Sequence, residues 1–154
     1  MYTTLLTIHL ICVAMWLGGA IYERVFLVGN IRRLRGTEME LGLIRMMLST
    51  ELYFMVITVC LLATGITMSL LSGAGFFHLS WLGFKQMVMV VGLLGFLTYV
   101  APRMKAVKKE VEQSIELGAE RRELVHAKIG EMTRGFDVIH LGVVLNLILA
   151  VWKP

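Results

Sequence analysis

The chain has 154 residues, 57% of them hydrophobic and 17% charged, with a mean hydropathy of +0.75 and a formal net charge of +4. Soluble domains carry about 25% charged residues, so this shortage of charge argues against an ordinary water-soluble globule. The small basic excess is absorbed by membrane topology and anionic headgroups, which leaves nucleic-acid binding without support.

The first 22 residues, Met1 to Tyr22, contain no charged side chain. A helix of about 20 apolar residues crosses about 30 Å of hydrocarbon, and the first span is expected over about 3–22. It lacks a basic leader and a small-residue cleavage site, so it reads as a retained helix rather than a signal peptide. The stretch from Arg24 to Thr50 is basic and partly amphipathic, with Leu34, Leu41, Leu43 and Ile44 beside arginines, and predicts an interfacial or short cytoplasmic helix. The second span is expected over about 52–72, with Glu51 at its start. Ser72, Gly73, Ala74 and Gly75 then suit a tight reversal, and Phe76, Phe77, His78 and Trp81 form an aromatic interface group.

The third span is expected over about 81–101, ending before Pro102 and Arg103. From Met104 to Glu131 charges of both signs alternate with sparse apolar residues, and Val107, Val111 and Ile115 recur at a helical spacing of four. Gly118 sits midway as a helix stop. Spans three and four are therefore expected to extend past the membrane as an antiparallel cytoplasmic hairpin, with His126 as a solvated residue on it. The fourth span is expected over about 133–152. The predicted fold is a single-domain, all-α, integral membrane four-helix bundle.

Basic residues orient it. Five lie between spans one and two (Arg24, Arg32, Arg33, Arg35, Arg45). Eight lie between spans three and four (Arg103, Lys105, Lys108, Lys109, Arg121, Arg122, Lys128, Arg134). Together they make thirteen of the fifteen Lys and Arg. Because positive loops stay cytoplasmic, both termini are expected on the non-cytoplasmic side of a bacterial inner membrane. Cys12 and Cys60 lie in apolar spans, where a thiol behaves as a small hydrophobe; no disulfide framework is visible.

Ionisable groups within lipid are costly and by default mark a functional site. His9 is such a group, and it shares a helix face with Cys12, Val13, Trp16, Gly19, Ala20 and Glu23. Ala14, Gly18 and Gly19 allow a neighbouring helix or a flat macrocycle to come close. His140 repeats the situation in the last span, with Asn146 nearby. Asp137, one turn before it, is expected to pair with Arg134 at three-residue spacing, or to orient the imidazole as second-shell acids do. At 1.5 Å per residue, His9 lies about 12 Å from the outer end and His140 about 20 Å. That mismatch counts against one shared iron. His78 and Lys85 match the depth of His9 better, Lys85 as a propionate or axial partner. These residues predict haem ligation, with His9 the first axial candidate and His140 the second. The alternatives are copper on histidine and the abundant methionines, eleven in all, or a cofactor-free accessory subunit whose histidines only pack.

Short motifs carry a resemblance over nearly the whole chain. Ile8-His9-Leu10 followed by Trp16-Leu17-Gly18-Gly19 resembles the first helix of small membrane proteins grouped with the CopD copper-resistance domain, and of HemJ-type protoporphyrinogen oxidases. Glu51-Leu52-Tyr53, Trp81-Leu82-Gly83-Phe84-Lys85 and the terminal Val151-Trp152-Lys153-Pro154 are similar to HemJ motifs. The resemblance implies a haem-b bundle, with His9 and Lys85 at that family's histidine and lysine positions. It also implies electron transfer with a quinol or a porphyrinogen, in a homo-oligomer or as a subunit of a larger complex. Gly29-Asn30 and Arg134-Gly135-Phe136-Asp137 depart from HemJ, which leaves the haem expectation standing and the enzyme class open.

Overall fold

The computed structural model describes residues 1–73, 76–77, 80–117 and 120–152, with side chains described for all of these except 114–117 and 120–124. Among the described residues all regular structure is helical, and four helices are long and apolar enough to cross a membrane. We number them α1 (Tyr2–Arg33), α2 (Glu38–Leu71), α3 (from Trp81 through Ala101–Leu117) and α4 (Glu120–Trp152).

These helices outrun the expected spans, because charge marks where the hydrocarbon ends and does not itself break a helix. α1 continues past Tyr22 through a π-helical turn at Tyr22–Leu27 and ends only at Arg33. α2 begins at Glu38, so Glu51 is an exposed mid-helix residue rather than the start. The interfacial helix expected across 24–50 is replaced by two helix ends and a short turn, in which Gly36 adopts φ +84°, a left-handed conformation that glycine takes without strain. Val28, Ile31, Ile44 and Met47 on these ends are buried rather than interfacial.

α3 starts where the Ser80 hydroxyl accepts the Gly83 amide at 3.3 Å, an N-cap. It runs through Pro102 instead of stopping there. Proline lacks an N–H and crowds the carbonyl four residues back. The π-helical turn at Phe96–Val100, just before it, supplies the local widening that lets the helix continue. Gly73, at φ +65°, makes the reversal after α2. Ala74, Gly75, His78, Gly118, Lys153 and Pro154 lie outside the described residues.

α1 packs antiparallel on α2: His9 meets Thr64 near one end, and Gly19 meets Tyr53 and Phe54 near the other. α3 and α4 are likewise antiparallel, with Gly135 against Val100, Arg103 paired to Glu131 at 3.4 Å, and Glu110 bonded to Lys128 at 2.6 Å. Buried residues form two clusters. The larger draws on all four helices at the basic end: Leu27, Val28 and Ile31; Ile44 and Met47; Val100, Met104, Val107 and Val111; Val125, Ile129, Met132 and Phe136. The smaller (Cys12, Trp16, Ala20, Phe54, Ile57, Leu61) belongs to α1 and α2 alone. On α3 no residue from Phe84 to Tyr99 is buried, and on α4 only Asn146 is buried after Phe136.

His126 is not solvated. Its Nε2 lies 2.5 Å from Oε1 of Glu40, whose side chain is 1% exposed, and Oε2 of Glu40 accepts the Gly36 amide at 2.7 Å. One carboxylate thus ties α4 to the turn that joins α1 and α2.

Candidate functional site

His9 is held from α2. Its Nδ1 lies 2.8 Å from the Thr64 hydroxyl, which itself donates to the Cys60 carbonyl at 2.7 Å. With the hydroxyl proton committed to the helix, the oxygen accepts, so Nδ1 carries the imidazole hydrogen and Nε2 keeps its lone pair. Gly65 makes room for the ring: a Cβ there would stand 3.6 Å from Cε1 of His9. Farther along the same seam the thiols of Cys12 and Cys60 lie close together, a pairing of α1 and α2 that sequence spacing did not predict. Lys85 on α3 is close enough to His9 for their charges to interact, and its ammonium lies 5.6 Å from the Trp81 ring centroid.

His140 stands elsewhere, in a box of rings. Trp16 meets it edge-on at 6.3 Å, Phe54 at 5.9 Å and Phe136 nearly parallel at 5.9 Å. Among the described residues its Nε2 is buried without a hydrogen-bond partner, as is the Trp16 indole nitrogen. Because Trp16 follows His9 by seven residues, the two histidines are separated by about 10 Å along α1. Beside His140 a pocket of about 10 Å³ is lined by Glu23, Arg24, Val28, Thr133, Phe136 and Asp137. That is room for roughly one water. Glu23 is 4% exposed and accepts the Thr50 hydroxyl at 3.4 Å. Asp137 pairs with Arg24 on α1 at 3.0 Å. The expected Arg134–Asp137 pair does not form, because Asp137 faces α1 while Arg134, three residues earlier, turns toward α3.

Glu23 was visible in the sequence only as the last member of the His9 face; its meeting with His140 requires knowing that α4 packs on α1. Gly19 does serve close helix approach: a Cβ there would lie 2.6 Å from Tyr53 Cε1. Tyr53 then donates its hydroxyl to the Met15 carbonyl at 2.7 Å. Among the described residues no three His, Cys, Asp or Glu side chains converge as a metal site.

A second, far larger cavity is a cleft of about 830 Å³ between α2 and α3, floored by α4. Its wall is apolar, including Phe54, Met55, Leu62, Phe84, Met87 and Val91. Of the cofactor candidates read from the sequence, Trp16 lines it, whereas His9, Gly19, Lys85 and His140 do not. No family model, curated protein or solved structure matches the chain.

Proposed function

We propose that this chain is a b-type haem-binding integral membrane protein that passes electrons between a quinol or a porphyrinogen and a second redox centre. The observation that carries this reading is His9. It is an imidazole inside an apolar span, anchored through Nδ1 by Thr64 so that Nε2 is left as a lone-pair donor, with Lys85 in electrostatic reach.

The donor chemistry suits haem, for which an axial imidazole and a cation near the propionates are ordinary requirements. His9 would be the axial ligand and Lys85 the propionate or second axial partner, while His140 keeps its separate aromatic box. When bound, the haem supplies one-electron chemistry. The chain's part is to fix the imidazole tautomer through Thr64 and to keep the surroundings dry with Trp16 and its neighbours. The motif resemblance to HemJ proteins supports the same reading.

The distribution of basic residues supports an inner-membrane placement with both termini outside the cytoplasm. The charged extensions of α3 and α4 are then a cytoplasmic hairpin. Membrane-facing side chains such as Leu94, Leu141 and Val151, all strongly exposed, are available to lipid or to further subunits.

A visible spectrum of the purified protein tests the assignment. The expected result is a Soret band with b-type α and β bands on reduction, lost in His9→Ala and retained in His140→Ala. Thr64→Val removes the tautomer anchor and is expected to shift the reduction potential while haem is retained. A spectrum without haem at full metal occupancy, with copper found by elemental analysis, overturns the reading in favour of a CopD-like copper protein.

A further inference from the structure

The cleft between α2 and α3 shares only Trp16 with the His9 site, and neither His9 nor Lys85 lines it, so it calls for an occupant of its own. On α3 its lining runs from Phe84 to Val100, a length of about 24 Å. Four glycines line it, Gly92 and Gly95 on α3 and Gly135 and Gly142 on α4. A Cβ added at Gly92 or Gly95 would meet nothing within 4 Å. At Gly135 it would meet Val100 Cγ2 at 2.9 Å and Tyr99 Cδ1 at 3.0 Å, so the Tyr99 ring lies directly on that glycine.

Polarity in the cleft is confined to few groups, and its positive charge to one end. Arg134 is an exposed cation on the lining there and takes no ion pair or hydrogen bond among the described residues. Asp137, its local candidate partner, is taken by Arg24. Tyr99 flanks the same end, stacked under Arg103, whose guanidinium carbon lies 3.4 Å from the ring centroid. Arg103 is itself occupied by Glu131 and by the Tyr99 carbonyl. The result is an elongated apolar trough, near the upper end of the roughly 300–1,000 Å³ common for ligand sites. It ends at an uncompensated guanidinium suited to a phosphate oxygen.

We propose that this trough is a binding site for an anionic phospholipid of the bilayer, its chain lying along Gly92 and Gly95 and its phosphate at Arg134. Charge complementarity selects the headgroup, and the length and apolarity of the trough select the chain. The site is independent of haem.

Native mass spectrometry of the full chain released from nanodiscs tests it. The discs are phosphatidylcholine with a minority of phosphatidylglycerol. One phosphatidylglycerol is expected to remain on the chain in preference to the more abundant lipid. Arg134→Gln is expected to reduce that preference by about tenfold, the effect of losing one charge-assisted contact, and Arg134→Lys to keep most of it. Gly92→Phe, which grows into open space, is expected to expel lipid of either kind while helix content by circular dichroism is unchanged. Should Arg134→Gln misfold, the selectivity of the unmodified chain for phosphatidylglycerol decides alone. Equal retention of the two lipids, retention unaffected by Gly92→Phe, or a lipid-free dimer that covers the cleft would each overturn the proposal.

Discussion

The two ends of this bundle pack by different rules. At the basic end all four helices contribute to one cluster in which Ile31, Ile44, Val107, Val125 and Met132 are at most 1% exposed, although this is where the charges are. In the apolar half the buried cluster is confined to α1 and α2, and α3 stands off from α2 across the cleft. The half with more hydrophobic residues buries fewer of them. The contrast follows from solvent. Beside water, apolar side chains gain by leaving it, so Val107, Val111, Val125 and Ile129 close a tight seam between otherwise charged helices. In lipid, leaving the tails for a protein interior gains little, and association rests on close contact and polar bonds. The contacts that do join α1 to α2 are of that kind: His9 with Thr64, Tyr53 with the Met15 carbonyl, and Gly19 under the Tyr53 ring.

Substitutions of matched type can break this contrast. The largest effect is expected from Ile31→Asp, which puts an unpaired charge where all four helices meet; a loss of about 4 kcal/mol would show as collapse of the thermal transition in detergent. Met132→Ala, a truncation in the same cluster, is expected to cost about 3 kcal/mol, read from the shift of the circular-dichroism midpoint. Glu40→Gln weakens the link from the 34–37 turn to His126 and is expected to cost about 2 kcal/mol, with faster hydrogen exchange at the Gly36 amide. Val91→Ala, an apolar truncation on the open cleft wall of the loose half, is expected to change stability by less than about 0.5 kcal/mol. If Val91→Ala proved as costly as Met132→Ala, the two ends would be packed alike and the argument from solvent would fail.

The same contrast explains what was legible in the sequence. Long charge-free runs mark helices apolar enough to cross a membrane, so the four long helices and the unusual positions of His9 and Lys85 could be read residue by residue. Where charge returns, the run ends but the helix does not, which is why α1 passes through Arg24 and α2 begins fourteen residues before Leu52. Pairings between helices were beyond reach. Asp137 has Arg134 one turn away and Arg24 on another helix, and only the packing of α4 on α1 decides between them. The Glu23 pocket and the Cys12–Cys60 contact depend on the same kind of knowledge. His126, read as a solvated residue among charges, is drawn in by Glu40, whose burial nothing local in 38–42 announces.

Both π-helical turns, Tyr22–Leu27 and Phe96–Val100, lie where the loose half meets the tight one. A π turn holds one residue more than the α-helix around it needs, and one α-helical residue turns the chain by about 100°. Each takes up that residue within the turn, so the rod beyond is not swung by that angle. The extra residue is therefore slack that the rod can give up: deleting one residue from Tyr22–Leu27 would close the turn to ordinary α-helix and leave Val28 and Ile31 facing the cluster.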